Sequence, residues 1–350
     1  MKKLISVVMV LLLVLSLVAC GNKPVQTTEA PGNQGETQKP AETQTDLPKM
    51  TMKMHMNCGT SDYVYTAGEK FAELVSQKTN GKVTVELYPN SALGTSAECI
   101  EGLAAGVCNI VFDPIDNYAA WSEIANINPA PYLYSGIEHY RKVWEGEVGR
   151  KILDAIGEQS GKILLGAGLQ GVRIMTTTKP IKTVEDVKGL KLRVPTSSMY
   201  IETWAWLGAT PTPISASEAF TAIQQGTCEG QENPYGASVG LSMYECCKYV
   251  TETNHVYGTD SFGFDKTYFN NLPAEYQKAL REAAEEACKY LTDLAIEQTA
   301  EKKQVFVDAG CEIIETDVSQ WMAAMDGFFA AKFPYLDEYV KMIQEVDPKK

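Results

Sequence analysis

The sequence predicts an α/β protein built on parallel strands, and three observations carry that prediction. Short runs alternate apolar with polar residues, helical stripes separate those runs, and glycine or proline marks most joints. Strand, helix, strand, helix, strand in that order implies a parallel sheet with right-handed crossovers. Ligands of such sheets sit beyond the carboxyl ends of the strands.

The chain begins with Lys2 and Lys3, then the mostly apolar run "LISVVMVLLLVLSLVA" from Leu4 to Ala19. The run falls short of the roughly 20 residues that a spanning helix needs and ends in small residues, so residues 1–19 read as an export signal. Cys20 directly follows Leu17-Val18-Ala19, which resembles the bacterial lipobox, in which the cysteine is lipidated on sulfur and becomes the first mature residue. A diacylglycerol thioether there gives two buried chains, enough for stable membrane anchoring. Residues 20–48 carry almost no large apolar side chain and read as a disordered tether.

Roughly 300 residues remain, enough for two packed domains. Met50, Met52, Met54 and Met56 alternate with Thr51, Lys53, His55 and Asn57, as in a half-buried strand. Phe71, Leu74 and Val75 mark a helix that stops at Asn80-Gly81. Then come a strand "VTVELYP" (83–89), a helix "SAECIEGLAAG" (96–106) and a strand "NIVFDP" (109–114). A second α/β series starts near residue 162, with strands "KILLGAGL", "VRIMTTT" and "KLRVP", a helix "SMYIETWAWLG" and a short strand "ATPTPI". "SASEAFTAIQQG" opens on Ser215 as a cap, carries Phe220 and Ile223, and closes at Gly226. A long helical pattern fills 273–309, and its Glu282, Glu285 and Glu286 read as a solvated face.

The 31 basic side chains less Lys2 and Lys3 leave 29 against 44 acidic ones, so nucleic acid is excluded as a partner. A local arginine pair can still dominate at short range, since screening limits the global field to about 8 Å. Beyond Cys20 there are Cys58, Cys99, Cys108, Cys228, Cys246, Cys247, Cys288 and Cys311, with no C-x-x-C and only three histidines. That pattern supports mostly free thiols, no metal site and no cofactor. "GAGLQG" (166–171) is formally G-x-G-x-x-G, but "VRIMTTTKP" after it is not helical, so it reads as a crossing between domains whose glycines help a hinge. No nucleophile elbow, zinc-protease motif or phosphate loop is present, and Glu229 and Glu232 point to opposite faces of a strand. No enzymatic activity is expected.

In "KGLKLRVPTSS" (188–198), Leu190, Leu192 and Val194 share one parity, while Lys191, Arg193 and Pro195 share the other. Pro195 ends the ladder because it has no N–H to donate. Arg193 then lies either on a solvated edge strand or at a cleft awaiting an anion.

"SQKTNGKVTVELYPNSALGTSAECIEGLAAG", "GVRIMTTTKPIKTVEDVKGLKLRVP", "LGATPTPISASEAFTAIQQGTCEGQENP" and "VTETNH" together decide that question. They resemble the solute-binding subunits of tripartite ATP-independent periplasmic (TRAP) transporters, the C4-dicarboxylate-binding family. The resemblance runs from about Met50 to the last helices. It implies a two-lobed, periplasmic-binding-protein-like α/β fold, with hinge strands and a long helix spanning both lobes. Lobe I would be 49–170 and 259–298, and lobe II 171–258 and 299–350. It also implies a small carboxylate bound between the lobes and handed to TRAP membrane permease subunits driven by an ion gradient. By position, Arg193 matches the arginine that grips the ligand carboxylate, Arg173 a supporting arginine, and Asn233 an amide reaching the same carboxylate. Tyr63 and Tyr65, placed in a loop after the first strand, and Asp113 and Asp116, after "NIVFD", are further candidate contacts. Ala216 stands where some relatives place an aromatic, and Trp204 and Trp206 read as packing. The competing assignments are a receptor for an ATP-driven importer, an exported enzyme acting on an organic acid, and a sensor.

Overall fold

The computed structural model describes residues 47–350, so the expected export signal, the lipidated Cys20 and all but the end of the tether lie outside the described residues. The methionine alternation forms β1 (Met50–His55), with Met52 and Met54 fully buried and Thr51 and Lys53 facing out. His55 shares the outward parity and is buried all the same, because Asp113 pairs with it at 3.2 Å. Asp62 caps α1 (Tyr63–Lys78) by accepting from the Val64 N–H at 3.0 Å. The helix buries Phe71, Leu74 and Val75, and Asn80 and Gly81 turn away with positive φ after it. β2 (Val83–Tyr88) leads to α2 (Ser96–Gly102), whose start is fixed by a reciprocal box between Thr95 and Glu98. β3 (Ile110–Pro114) follows, and β1 pairs in parallel with both β2 and β3.

α3 (Ile137–Trp144) and α4 (Glu147–Ser160) were not foreseen; they bury Tyr140, Val143 and Trp144, and Ile152 and Ile156. β4 (Lys162–Thr177) is one unbroken strand where the sequence predicts two. Then come β5 (Lys191–Val194), α5 (Ser198–Trp206), β6 (Thr210–Pro213), α6 (Ala219–Gln224) and β7 (Gly230–Pro234). α7 (Tyr235–Gly240), α8 (Met243–Cys246), β8 (Tyr249–Thr251), β9 (Tyr257–Asp265) and α9 (Lys266–Asn270) precede the long α10 (Ala274–Asp308). The chain finishes with β10 (Glu312–Ile314), α11 (Val318–Ala324), α12 (Phe328–Lys332) and α13 (Asp337–Glu345).

The strand order is β2-β1-β3-β9-β4-β7-β5-β6, with β8 pairing to β4 and β10. β4 and β9 therefore stand in the middle, antiparallel to each other, between a parallel group on one side and the β7-β5-β6 group on the other. Their register is irregular at Gly168 and Gly171, where the chain passes from one group to the other. The glycines of "GAGLQG" answer to backbone and packing together: Gly166 and Gly171 take positive φ, and α10 leaves Gly166 and Gly168 no room for a side chain. A Cβ on Gly166 would stand 2.6 Å from the Ala284 carbonyl oxygen, and one on Gly168 2.7 Å from that of Cys288. α10 thus lies directly on the strand, and Thr292 Oγ1 accepts from the Leu169 N–H at 3.0 Å. At about 1.5 Å per residue the 35 residues of α10 extend some 50 Å, long enough to pack on α1 near one end and on α7 and β10 further along.

Residues 299–350, expected with the second lobe, touch both groups. Trp321 packs edge-on against Trp204, while the Ile343 carbonyl oxygen meets His139 Nε2 at 2.8 Å. Among the described residues the eight cysteines are free, seven of them buried, and no helix is long and apolar enough to cross a membrane.

Candidate functional site

β5 lies between β7 and β6, so the strand carrying Arg193 is interior, and the solvated-edge alternative falls. Arg193 is 2 % exposed. Its Nε donates to the Ile214 carbonyl oxygen at 2.8 Å. No carboxylate among the described residues stands within salt-bridge distance of it. Burial, reinforced by neighbouring Arg173 and opposed by Glu232, lowers its pKa to about 10, so it stays charged at neutral pH.

Arg173, on β4, is in the opposite state. Nε and Nη2 meet Glu232 Oε2 at 2.5 Å and Oε1 at 2.8 Å, and Nη1 donates to Gln170 Oε1 at 3.3 Å. The planar fork also lies over the Tyr200 ring, 4.7 Å from its centre. Burial works against this charge, but Glu232, Tyr200 and Asp116 outweigh it and hold the proton more firmly than usual. The β4–β7 register makes the pair possible, since Arg173 is opposite Pro234 and Ile174 opposite Asn233. His255 meets Glu232 Oε2 through Nε2 at 3.1 Å and Thr253 Oγ1 through Nδ1 at 2.8 Å. Burial lowers the histidine's pKa, so it is neutral, with Nε2–H donating to the carboxylate.

Both arginines line a cavity of about 210 Å³, together with Asn233, Asp116, Asp62 and Asn117. Asn233 Nδ2 donates to Gln231 Oε1 at 2.6 Å. Asp116 follows β3 and accepts from Asn128 Nδ2 at 2.8 Å. Burial pushes the Asp116 and Asp62 carboxyls up to about 6, against the pull of Arg173 and Asn128 on Asp116 and of Val64 and Lys302 on Asp62. Asn117 Nδ2 is buried without a partner among the described residues.

Of the residues singled out from the sequence, Arg193, Arg173, Asn233 and Asp116 come together on this cavity, and Tyr63, Tyr65 and Asp113 do not line it. Tyr63 and Tyr65 lie in the first turn of α1, not in a loop, because Asp62 starts the helix before them. The Tyr63 hydroxyl donates to the Gln170 carbonyl oxygen at 2.5 Å, so it braces β4 from behind. Asp113 accepts from the Asn57 N–H at 2.8 Å and so orients a lining residue. It also sustains the charge on His55: burial alone would strip that imidazole's proton, and Asp113 pushes its pKa up to about 10. Asp62 and Asn117 went unnoticed in the sequence. Asp62 had a signal, since an aspartate just before an apolar helical stripe is an N-cap. Asn117 had none.

Residues 54–333 match the bacterial extracellular solute-binding protein family 7. The chain belongs to that family. Its fold is the two-lobed α/β arrangement of the TRAP periplasmic solute-binding proteins. A solute-binding protein of Roseobacter denitrificans is 30 % identical over 276 residues, covering 79 % of this chain and 85 % of the relative. The C4-dicarboxylate-binding periplasmic protein of Rhodobacter capsulatus is 31 % identical, over 69 % of this chain and 72 % of its own. A crystal structure of a Roseobacter denitrificans TRAP solute-binding protein with bound L-galactonate superposes with TM-score 0.80 at 28 % identity, covering 86 % of this chain and 99 % of that one. One from Chromohalobacter salexigens with bound D-glucuronate gives 0.79 at 28 % identity, over 85 % of this chain and all of its own. A further relative, from Escherichia coli and 29 % identical over 78 % of this chain and 83 % of its own, is a 2,3-diketo-L-gulonate-binding periplasmic protein.

Proposed function

We propose that this protein is an extracytoplasmic lipoprotein that binds a small organic acid between its lobes and delivers it to a TRAP-type permease. Arg193 carries the reading: a buried guanidinium, still charged, that no carboxylate of the described chain neutralises. A planar fork presents two parallel N–H donors to a carboxylate, and Asn233 can add a donor without adding a charge. Arg173 is held in place by Glu232 and supports the site rather than gripping the ligand itself. Closure of lobe I (49–170 and 259–298) on lobe II (171–258 and 299–350) desolvates the ion pair, and the closed form is what the permease recognises. The chain holds its ligand without covalent chemistry, and lipidated Cys20 anchors it to the membrane surface.

A thermal-shift screen of organic acids tests the binding step, because a ligand of the folded form alone raises apparent stability by mass action. Shifts by organic acids that vanish in Arg193→Met are expected, and shifts that persist in that variant overturn the assignment. Cys20→Ala expressed in a bacterial host tests the anchor. The wild-type chain should fractionate with membranes and the variant should be released, whereas equal fractionation of the two contradicts lipidation.

A further inference from the structure

The charge arrangement of the cavity says more than that it takes an acid. Its charged lining side chains, among the described residues, are Arg173, Arg193, Asp62 and Asp116. Arg173 has its charge answered by Glu232 and four of its five N–H donors committed to Glu232 and Gln170. One cationic fork is therefore left to meet a ligand anion. The aspartates come from the other group of elements, Asp62 before α1 and Asp116 after β3, and neither has a lysine or arginine in salt-bridge contact. Asp116 also takes an amide hydrogen from Asn128, and Asn117 adds an unpartnered amide beside it.

We infer that, if the carboxylate reading above holds, the ligand carries a single negative charge: its carboxylate lies on Arg193, and hydroxyl groups at its far end donate to Asp116 and Asp62. A carboxylate is an acceptor only, so it rewards a hydroxyl that approaches it and repels a second carboxylate placed there. The two aspartates thus act on specificity from the lining of the cavity they share with Arg193. A dicarboxylate of the same length, with its distal hydroxymethyl, aldehyde or methyl group oxidised, meets like charge where the monoacid meets acceptors. It should bind at least about 30-fold more weakly.

Calorimetry at pH 7.5 on matched pairs tests this: galactonate against galactarate, glucuronate against glucarate, and 3-hydroxybutyrate against malate. In any pair that gives heat, the monoacid should bind more tightly by that factor. Asp116→Asn should narrow the gap by strengthening the diacid relative to the monoacid. Asp62→Asn should do the same and serves as the second variant if the first fails to fold. A diacid bound as tightly as its monoacid, with binding lost in Arg193→Met, overturns the single-charge rule and leaves the carboxylate reading intact. A mono-to-diacid ratio unchanged in a folded aspartate variant overturns the role given to the aspartates. Silence from all six acids with the folded wild-type protein counts against the carboxylate reading, and the charge rule falls with it.

Discussion

Arg173, on β4, gives its fork to Glu232 and stacks over Tyr200, whereas Arg193, on β5, finds within the described chain only the carbonyl of Ile214. Both are buried, and both line one cavity. The paired arginine belongs to a closed network reaching through Glu232 to His255 and Thr253, so its burial is compensated inside the protein. The other has only the Ile214 carbonyl and the more distant Glu232 against its desolvation, a cost that an anion from outside can relieve further. A structural ion pair and a ligand site thus use the same residue type, and the partner inventory tells them apart.

The largest effect expected from this contrast is on stability. Arg173→Met leaves Glu232 as a buried charge without its fork and should destabilise the ligand-free protein by about 3–5 kcal/mol in urea titrations. Arg193→Met should move the other way, stabilising the ligand-free form by roughly 1–3 kcal/mol, because it removes a buried cation that the fold does not pair. If the two variants lose stability alike, the distinction between the arginines is broken.

The cavity aspartates sharpen the picture through pH. Asp116 is lifted from 3.8 to about 6 by burial, so between those values the folded protein holds a proton that the unfolded chain has lost. Its contribution therefore makes stability fall as pH rises from about 4 to about 6, by on the order of 3 kcal/mol. Asp116→Asn should remove that share of the slope, which denaturant titrations at pH 4.5, 5.5 and 6.5 would read. The smallest effect lies at the end of the Arg173 network. Thr253→Ala takes away the partner of His255 Nδ1 and should cost about 1 kcal/mol, with ligand affinity changed by less than it is in either arginine variant.

Much of the fold is legible in the sequence. The methionine alternation of β1, the extent of α10 and the inward parity of Leu192 and Val194 are periodic signals, and burial on one face enforces them. Arg193 was legible because Pro195 interrupts its strand and because the surrounding blocks resemble a family. β9 was not, since Gly258, Asp260 and Gly263 break any apolar alternation in "YGTDSFGFD". A strand buried on both faces at the crossing needs none. The Arg173–Glu232 pair was hidden for a different reason: the residues are distant in sequence and meet only through the antiparallel register of β4 and β7. Tyr63 and Tyr65 read as loop residues in the sequence because the helix starts earlier than its apolar stripe, at the Asp62 cap.

The central claim is that Arg193 is the cation that grips the ligand's carboxylate. Its most direct test is calorimetry of Arg193→Lys against wild type, with an acid found to bind the wild-type protein. Lysine keeps the charge and loses the fork. The account predicts a loss of about 2–5 kcal/mol, tens- to thousands-fold in affinity. Unchanged affinity in the folded variant would contradict it.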